Sequence, residues 1–312
     1  MLLCSDNSES TAAASTINKV QEYIFALVLI AALPYLAQRD VITTSSSSIM
    51  MRRYIIARHG ETNYNKERRV QGTLDSPILT TKGISQASSL GKYLATRSNN
   101  DNSQGGIEEK EITRTYCSPL KRCRQTYDLI SKSYNNEVRN NNNNNDDTRL
   151  FPQPTVIDNL KEIELKEWQG RLRNDIMEQD KVNWNIFRAN PCNLRLQDGT
   201  FAPVLDCFER ASNCWDVIRA NVASNNDEEV IFVMCHGAIG QCMILHALGL
   251  EQTEYGKSRR YALDNCECFE IEWVDDAKYS TRWRKIDTSQ NVSDWRSSHS
   301  SQLVSGVLSS SR

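Results

Sequence analysis

Apolar residues along this chain gather in short runs that alternate with longer stretches in which they recur every three or four positions. Tyr54–Ala57, Ile112–Cys117, Thr155–Ile157, Val230–Cys235 and Cys268–Val274 have the length and composition of strands, with a further strand at Thr281–Ile286. The helical period appears at Lys82–Thr96, Leu120–Tyr134, Val204–Val222 and Ala238–Leu248. It is clearest in the third of these, where Phe208, Ala211, Trp215, Ile218 and Val222 make one stripe. Strands alternating with helices predict an α/β fold: a mostly parallel sheet with helices on both faces, a three-layer α/β/α sandwich.

Polar stretches interrupt this pattern. Ser98–Gly106 and the asparagine-rich Asn135–Thr148 read as solvated loops, and Ser45–Ser48 as a flexible linker. From Thr288 to Arg312 a serine-rich tail lacks the apolar residues for a core and is expected to be disordered. The folded domain is therefore expected at 49–287, after an extension at 1–48 and before a tail at 288–312. Inside the extension, Tyr23–Ala37 is an apolar run, short for a membrane span and long for a loop. Tyr35 beside the candidate cleavage residue Ala37, and the flanking Asp6, Glu9 and Glu22, make it a poor secretory signal. It stands either as a targeting or anchoring segment or as an upstream mis-start, since Met50 and Met51 directly precede the first strand.

Composition changes this picture little. A hydrophobic content of 39% supplies a sizeable core for 312 residues, and a formal net charge of -2 gives no reason to expect nucleic acid or an acidic membrane as the main partner. Ten cysteines without repeated spacing read as reduced thiols, and Cys266-Glu267-Cys268 is one residue too tight for a zinc half-site. An intracellular, cytoplasmic protein is expected, with organelle targeting or membrane attachment through 23–37 as the alternative. No oligomeric state is implied.

The candidate chemistry lies where strands end. Arg58-His59-Gly60-Glu61-Thr62 follows the first run, at the carboxyl edge where open α/β sheets place their ligands. Arginine grips phosphate bidentately, and histidine serves as base or nucleophile near neutral pH. His236-Gly237 repeats that setting after Val230–Cys235. A lone strand-end histidine is more often a packing residue, but two in matched contexts suggest one rim, whereas His246 and His299 have no such setting. In Cys117-Ser118-Pro119-Leu120-Lys121-Arg122, Ser118 is placed to cap a helix, and Arg122 with the free N–H groups of that helix would attract an anion. Taken alone, that segment is an ordinary capped helix. Carboxylates at Glu162, Glu164 and Glu167 offer an acid for a leaving alkoxide, and the chemistry alone does not choose among them. Metal spacings such as HExxH are absent, Glu251 stands where a P-loop needs its first glycine before Gly256-Lys257-Ser258, and Cys117 is one residue too close to Arg122 for a cysteine phosphatase loop.

RHGETNYN at 58–65, QG at 71–72, SPILTTKG at 76–83, CSPLKRCRQT at 117–126, LKEIELKEWQG at 160–170 and HG at 236–237 together resemble the histidine phosphatase superfamily, in order and spacing through most of 52–250. The resemblance implies a phosphoglycerate mutase-like fold and a phosphomonoesterase that needs no metal or cofactor. It implies His59 as the nucleophile that becomes phosphohistidine, with Arg58, Arg122 and His236 holding phosphoryl oxygens. Glu162 aligns with the family's proton donor, and Asn65, Gln71, Gly72 and Gly237 with residues lining the substrate site. Lys166 departs from the glycine of many relatives, which touches the loop shape. The segment 69–77 is similar to the phosphatase branch. A looser likeness through Trp184, Phe187, Pro191, Gly199, Pro203, Arg210 and Trp215 points to plant and algal phosphatases acting on 2-carboxyarabinitol 1-phosphate, although aromatics at helical spacing read first as core. The expected substrate is a small phosphorylated metabolite, such as a sugar or sugar-acid phosphate. A mutase or bisphosphatase using the same residues, and a catalytically silent phospho-ligand or phosphoprotein binding module, are the rivals.

Overall fold

Strand β1 (Met51–Arg58) runs through the middle of the molecule because it is apolar on both sides: Tyr54, Ile55, Ile56 and Ala57 are all buried. Tyr54 and Ile56 face one core and Ile55 and Ala57 the other, so the period of two puts a packed layer against each face of the sheet. Each such isoleucine contributes about 1.5–3 kcal/mol of burial. The computed structural model describes residues 51–97, 111–141, 150–220, 229–274, 277–287, 291–292 and 296–297, all within the unit Ile49–Arg312. The apolar run at 23–37, the polar stretch at 98–106 and the end of the tail lie outside them. Among the described residues no helix is long and apolar enough to cross a membrane.

After β1 come α1 (Asn63–Lys66), α2 (Thr81–Arg97), β2 (Ile112–Cys117), α3 (Lys121–Asn141), β3 (Pro154–Val156), α4 (Arg173–Gln179), α5 (Lys181–Ala189), α6 (Pro203–Ala220), β4 (Val230–Cys235), α7 (Gly237–Ala247), β5 (Cys268–Val274) and β6 (Arg282–Asp287). The two-residue strands β7 (Asn291–Val292) and β8 (Arg296–Ser297) complete the sheet. Its order is β3-β2-β4-β1-β5-β6-β7, with β8 also beside β6. The first four strands in that order are parallel; β5, β6, β7 and β8 extend the sheet antiparallel. Helices α2 and α3 cover the face holding Ile55, and α6 and α7 the face holding Tyr54. The expected three-layer sandwich is present, its parallel core carrying an antiparallel wing.

The structure departs from the sequence pattern in several places. Helix α3 continues to Asn141 where a loop was expected from Asn135, because Val138 keeps the apolar face in the core and Asn135 Oδ1 accepts from Phe151 N at 2.8 Å. Strands β7 and β8 fall inside the tail expected to be disordered, where backbone pairing with β6 stands in for apolar burial. The pair α4 and α5 lacked a signal because each is short: α4 buries only Ile176 and α5 buries no residue fully. In α6, Ala211, Trp215 and Ile218 are buried as the stripe requires; Phe208 is only partly buried, and Cys207 and Cys214 complete the core face. Lys166 takes φ 40°, the left-handed conformation that favours glycine, and its ammonium is held by Glu164 at 2.9 Å and the Phe201 ring at 4.4 Å.

Candidate active site

The register of β1 on β4 pairs Arg58 with Cys235, so His59 and His236 leave adjacent parallel strands at the same edge. Their ring centroids are 5.1 Å apart, and both side chains are buried. His59 Nδ1 lies 2.8 Å from Gly60 O. A carbonyl oxygen only accepts, so the proton is on Nδ1 and Nε2 carries the lone pair. Arg122 Nε donates toward that Nε2 at 3.3 Å. Burial, with Arg122 and Arg58 beside it, holds His59 well below the ordinary 6.5; burial, Arg122 and His59 do the same for His236. Both imidazoles are therefore neutral near pH 7. Gly60 is required here for closeness: a Cβ on it would stand 2.6 Å from Gly83 O.

Arg122 is fully buried, and its guanidinium is aimed by two carbonyls, Nη1 donating to Leu74 O at 2.7 Å and Nη2 to Gly72 O at 2.8 Å. Gly72 has φ 52°, and a Cβ there would meet Gln169 Oε1 at 1.9 Å, so the turn that offers this carbonyl admits no side chain. Arg58 Nη1 donates to Leu263 O at 2.8 Å, and its Nε is buried without a partner. The segment after β2 is more engaged within the protein than the sequence pattern suggests. The α3 N-terminus does not offer a free N–H at its first residue, because Lys121 N donates to Asp75 Oδ1 at 2.6 Å; the helix contributes its arginine to the site. Ser118 Oγ accepts from Leu120 N at 3.4 Å, the capping contact expected, and also lies 2.7 Å from His236 Nε2.

Among the three carboxylates, Glu162 alone lines the cavity with both histidines' neighbours; Glu164 pairs with Lys166, and Glu167 is exposed and accepts from Gln197 N at 3.2 Å. The Glu162 carboxylate accepts from Ile163 N at 2.9 Å and from the first turn of α7 through Ala238 N at 3.0 Å and Ile239 N at 3.2 Å. Arg210 fastens this loop to α6, donating to the carbonyls of Asn159, Lys161 and Glu162 at 3.0, 2.7 and 3.2 Å. Asn65 and Gln71 also line the cavity. Asn65 Oδ1 accepts from Thr62 N at 3.1 Å and Gln71 Oε1 from Thr62 Oγ1 at 3.0 Å, which leaves the amide NH2 ends for a ligand. Gly72 and Gly237 also line it.

The cavity holds about 360 Å³. One wall is an aromatic cluster, Trp168 with Trp184 and Phe187 at 6.0 and 5.7 Å, which the sequence pattern assigned to core. Arg69, Arg173, Arg188 and Arg259 also line it, against only Glu162 and Asp264 as acids. The sequence offered Lys66, Arg68 and Arg69 as a positive field for a second anionic group, and of these Arg69 lines the cavity. Arg173 and Arg188 were missed because they sit on the two short helices that had no pattern. Among the described residues no group of three or more His, Cys, Asp or Glu is placed to hold a metal ion. An unprotonated imidazole nitrogen among guanidinium groups suits attack on an electrophile that carries oxyanions.

The family model of the histidine phosphatase superfamily (branch 1) matches residues 54–286. The chain belongs to that superfamily. Within the superfamily it is 28% identical over 228 residues to a probable 2-carboxy-D-arabinitol-1-phosphatase of Arabidopsis thaliana, a match covering 71% of this chain and 40% of that protein. It is 25% identical to a probable phosphoglycerate mutase of Citrobacter koseri over 78% of this chain and 94% of the other. The chain thus spans less than half the length of the plant relatives it matches. Among solved structures, mycobacterial glucosyl-3-phosphoglycerate phosphatase superposes with a TM-score of 0.55 at 19% identity, over 75% of this chain and 97% of that one, which shows the shared fold. Cys235, before His236, is a buried thiol pushed well above its usual value by burial, next to the site and not among the residues lining the cavity.

Proposed function

We propose that the chain is a phosphomonoesterase acting through a phosphohistidine on His59. The observation that carries this reading is the Nδ1 bond to Gly60 O, which leaves Nε2 unprotonated beside Arg122 at 3.3 Å. In two in-line displacements, Nε2 attacks phosphorus as the bond to the ester oxygen breaks, Arg58 and Arg122 neutralise the equatorial oxygens, neutral His236 donates a hydrogen bond to one of them, and protonated Glu162 gives its proton to the departing alkoxide. Water then attacks the phosphohistidine, its proton passing back to Glu162, and phosphate is released. Asn65, Gln71, Gly72 and Gly237 line the approach.

The substrate proposed is a sugar-acid phosphate. Four arginines besides Arg58 and Arg122 line the cavity, and Arg173 is crowded enough that burial and then Arg58, Arg68 and Arg188 lower its pKa. Such crowding supports an anionic group beyond the phosphoryl, and the aromatic wall suits the C–H face of a sugar carbon chain. The plant relative named a 2-carboxy-D-arabinitol-1-phosphatase supports the same class. The test is phosphate release from phosphosugars and phosphorylated sugar acids by the full chain and by His59→Ala, with and without chelator. Release that the chelator spares and the substitution abolishes is expected, with phosphate trapped on the wild-type protein at His59 on rapid acid-free quenching. Transfer to a second substrate molecule instead of water would make the protein a mutase, and absence of both release and trapping would leave a phospho-ligand binding module.

A further inference from the structure

Two buried polar groups on the cavity lining are not used by the chemistry above. Gln241 is 6% exposed and its Nε2 has no hydrogen-bond partner; Tyr255 is 8% exposed and its hydroxyl makes no hydrogen bond to a described residue. Both line the same cavity as His59, Arg122 and Glu162. An orphaned buried donor such as Gln241 Nε2 costs about 1–3 kcal/mol, and with the Tyr255 hydroxyl on the same wall it asks for a ligand that satisfies it.

Their positions follow from the helix. Gln241 lies four residues after Gly237 on α7, so the two share a face, and side chains on a helix lean toward its N-terminus. Gly237 brings no side chain to cover that face, and the helix N-terminus above it is where Glu162 is held. Tyr255 follows the turn Gln252–Glu254 and adds its ring from the neighbouring loop. Burial keeps its phenol well above the ordinary 10, so it stays a neutral hydroxyl.

We propose that Gln241 and Tyr255 form a subsite that reads neutral hydroxyl groups of the substrate, which makes them specificity-determining residues for a polyhydroxylated phosphate ester. A carboxamide and a phenol each donate and accept, as a hydroxyl does, whereas the arginines around them only donate and suit anions. The inference rests on the phosphomonoesterase reading and sharpens it: the cavity sorts a polyol chain from a short phosphorylated acid that has no hydroxyl to offer.

The experiment compares kcat/KM of the full chain for 6-phosphogluconate, phosphoglycolate and p-nitrophenyl phosphate, in wild type, Gln241→Leu and Tyr255→Phe. Wild type is expected to prefer 6-phosphogluconate over phosphoglycolate. Each substitution should lower that ratio by about tenfold, the value of one hydrogen bond, chiefly through KM. Melting temperature separates this from a structural role, because removing an orphaned polar group should not lower it. An unchanged ratio, or a falling melting temperature with equal losses on all substrates, overturns the proposal. Wild type that hydrolyses p-nitrophenyl phosphate but shows no preference for 6-phosphogluconate overturns this inference alone. Failure to hydrolyse any of the three overturns the phosphomonoesterase reading beneath it.

Discussion

His59 and His236 tie the site to the stability of the whole domain. Each is buried and neutral in the folded chain, with its pKa well below the 6.5 it regains on unfolding. Above pH 6.5 neither state binds the extra protons. As pH falls below it, the unfolded chain takes up two that the folded chain refuses, so stability drops by up to about 2.7 kcal/mol per pH unit from these two groups. Urea midpoints measured between about pH 7 and 5 should fall accordingly, and His236→Asn should remove about half of that slope. Inorganic phosphate should oppose the fall, because its charge favours the imidazolium it sits against. A slope unaltered by His236→Asn would mean that His236 is protonated in the native protein.

At the scale of elements, β5 shows why a residue pattern can mislead. Cys-Phe-Glu-Ile-Glu-Trp-Val alternates apolar and acidic positions, the signature of a strand with one wet face, yet Glu270 and Glu272 are fully buried. Glu270 is held by Arg97 at 2.7 Å and Arg284 at 2.5 Å, cations from α2 and β6 that lie 173 and 14 residues away. Burial alone would raise its carboxyl; the two arginines overcome this and keep it below 4.5. Glu270→Gln removes the buried carboxylate that Arg97 and Arg284 share and should cost up to about 3–5 kcal/mol, read as a urea midpoint. Replacing the triad together, with Glu270→Leu, Arg97→Met and Arg284→Met, should recover most of that loss. The short helices α4 and α5 make a second case. Trp184 on α5 packs on Trp168 at 6.0 Å and lines the cavity, with no hydrogen bond or ring contact to either histidine among the described residues. Trp184→Ala should therefore raise KM by about 2–10-fold while changing kcat less. A loss confined to kcat would place the ring at the reacting centre instead.

Across the described residues, the two core layers packed on the sheet hide the thiols. Nine of the ten cysteines are described, and all nine are free and buried. Burial raises the thiols of Cys117, Cys214 and Cys266 to about 12 and those of Cys123, Cys235 and Cys268 well above 9. Ellman's reagent should find these nine only after denaturation, and treating the protein with a reductant should reveal no more of them. Rapid labelling of the native protein at several of them would contradict the packing.

The strands, the helices with a long apolar stripe and the ordered motifs around His59, Arg122 and His236 were legible in the sequence, because burial on two faces imposes a local period and a strand end followed by glycine marks a rim. Position in space was not. The chemistry of the residues left Glu162, Glu164 and Glu167 open and the family resemblance singled out Glu162; what the sequence did not show is that the first turn of α7 holds its carboxylate through Ala238 N and Ile239 N. The capture of Ser118 by His236 and of the α3 N-terminus by Asp75 joins residues 118 and 46 positions apart. Gln241 looks, in the sequence, like any polar residue in an apolar helix; only the cavity above Gly237 distinguishes it. Local pattern thus determined which elements form and which chemistry is at hand. Contacts between distant segments decided which polar groups are satisfied by the protein and which remain for a ligand, because hydrogen bonding and desolvation depend on neighbours that one stretch of chain does not contain.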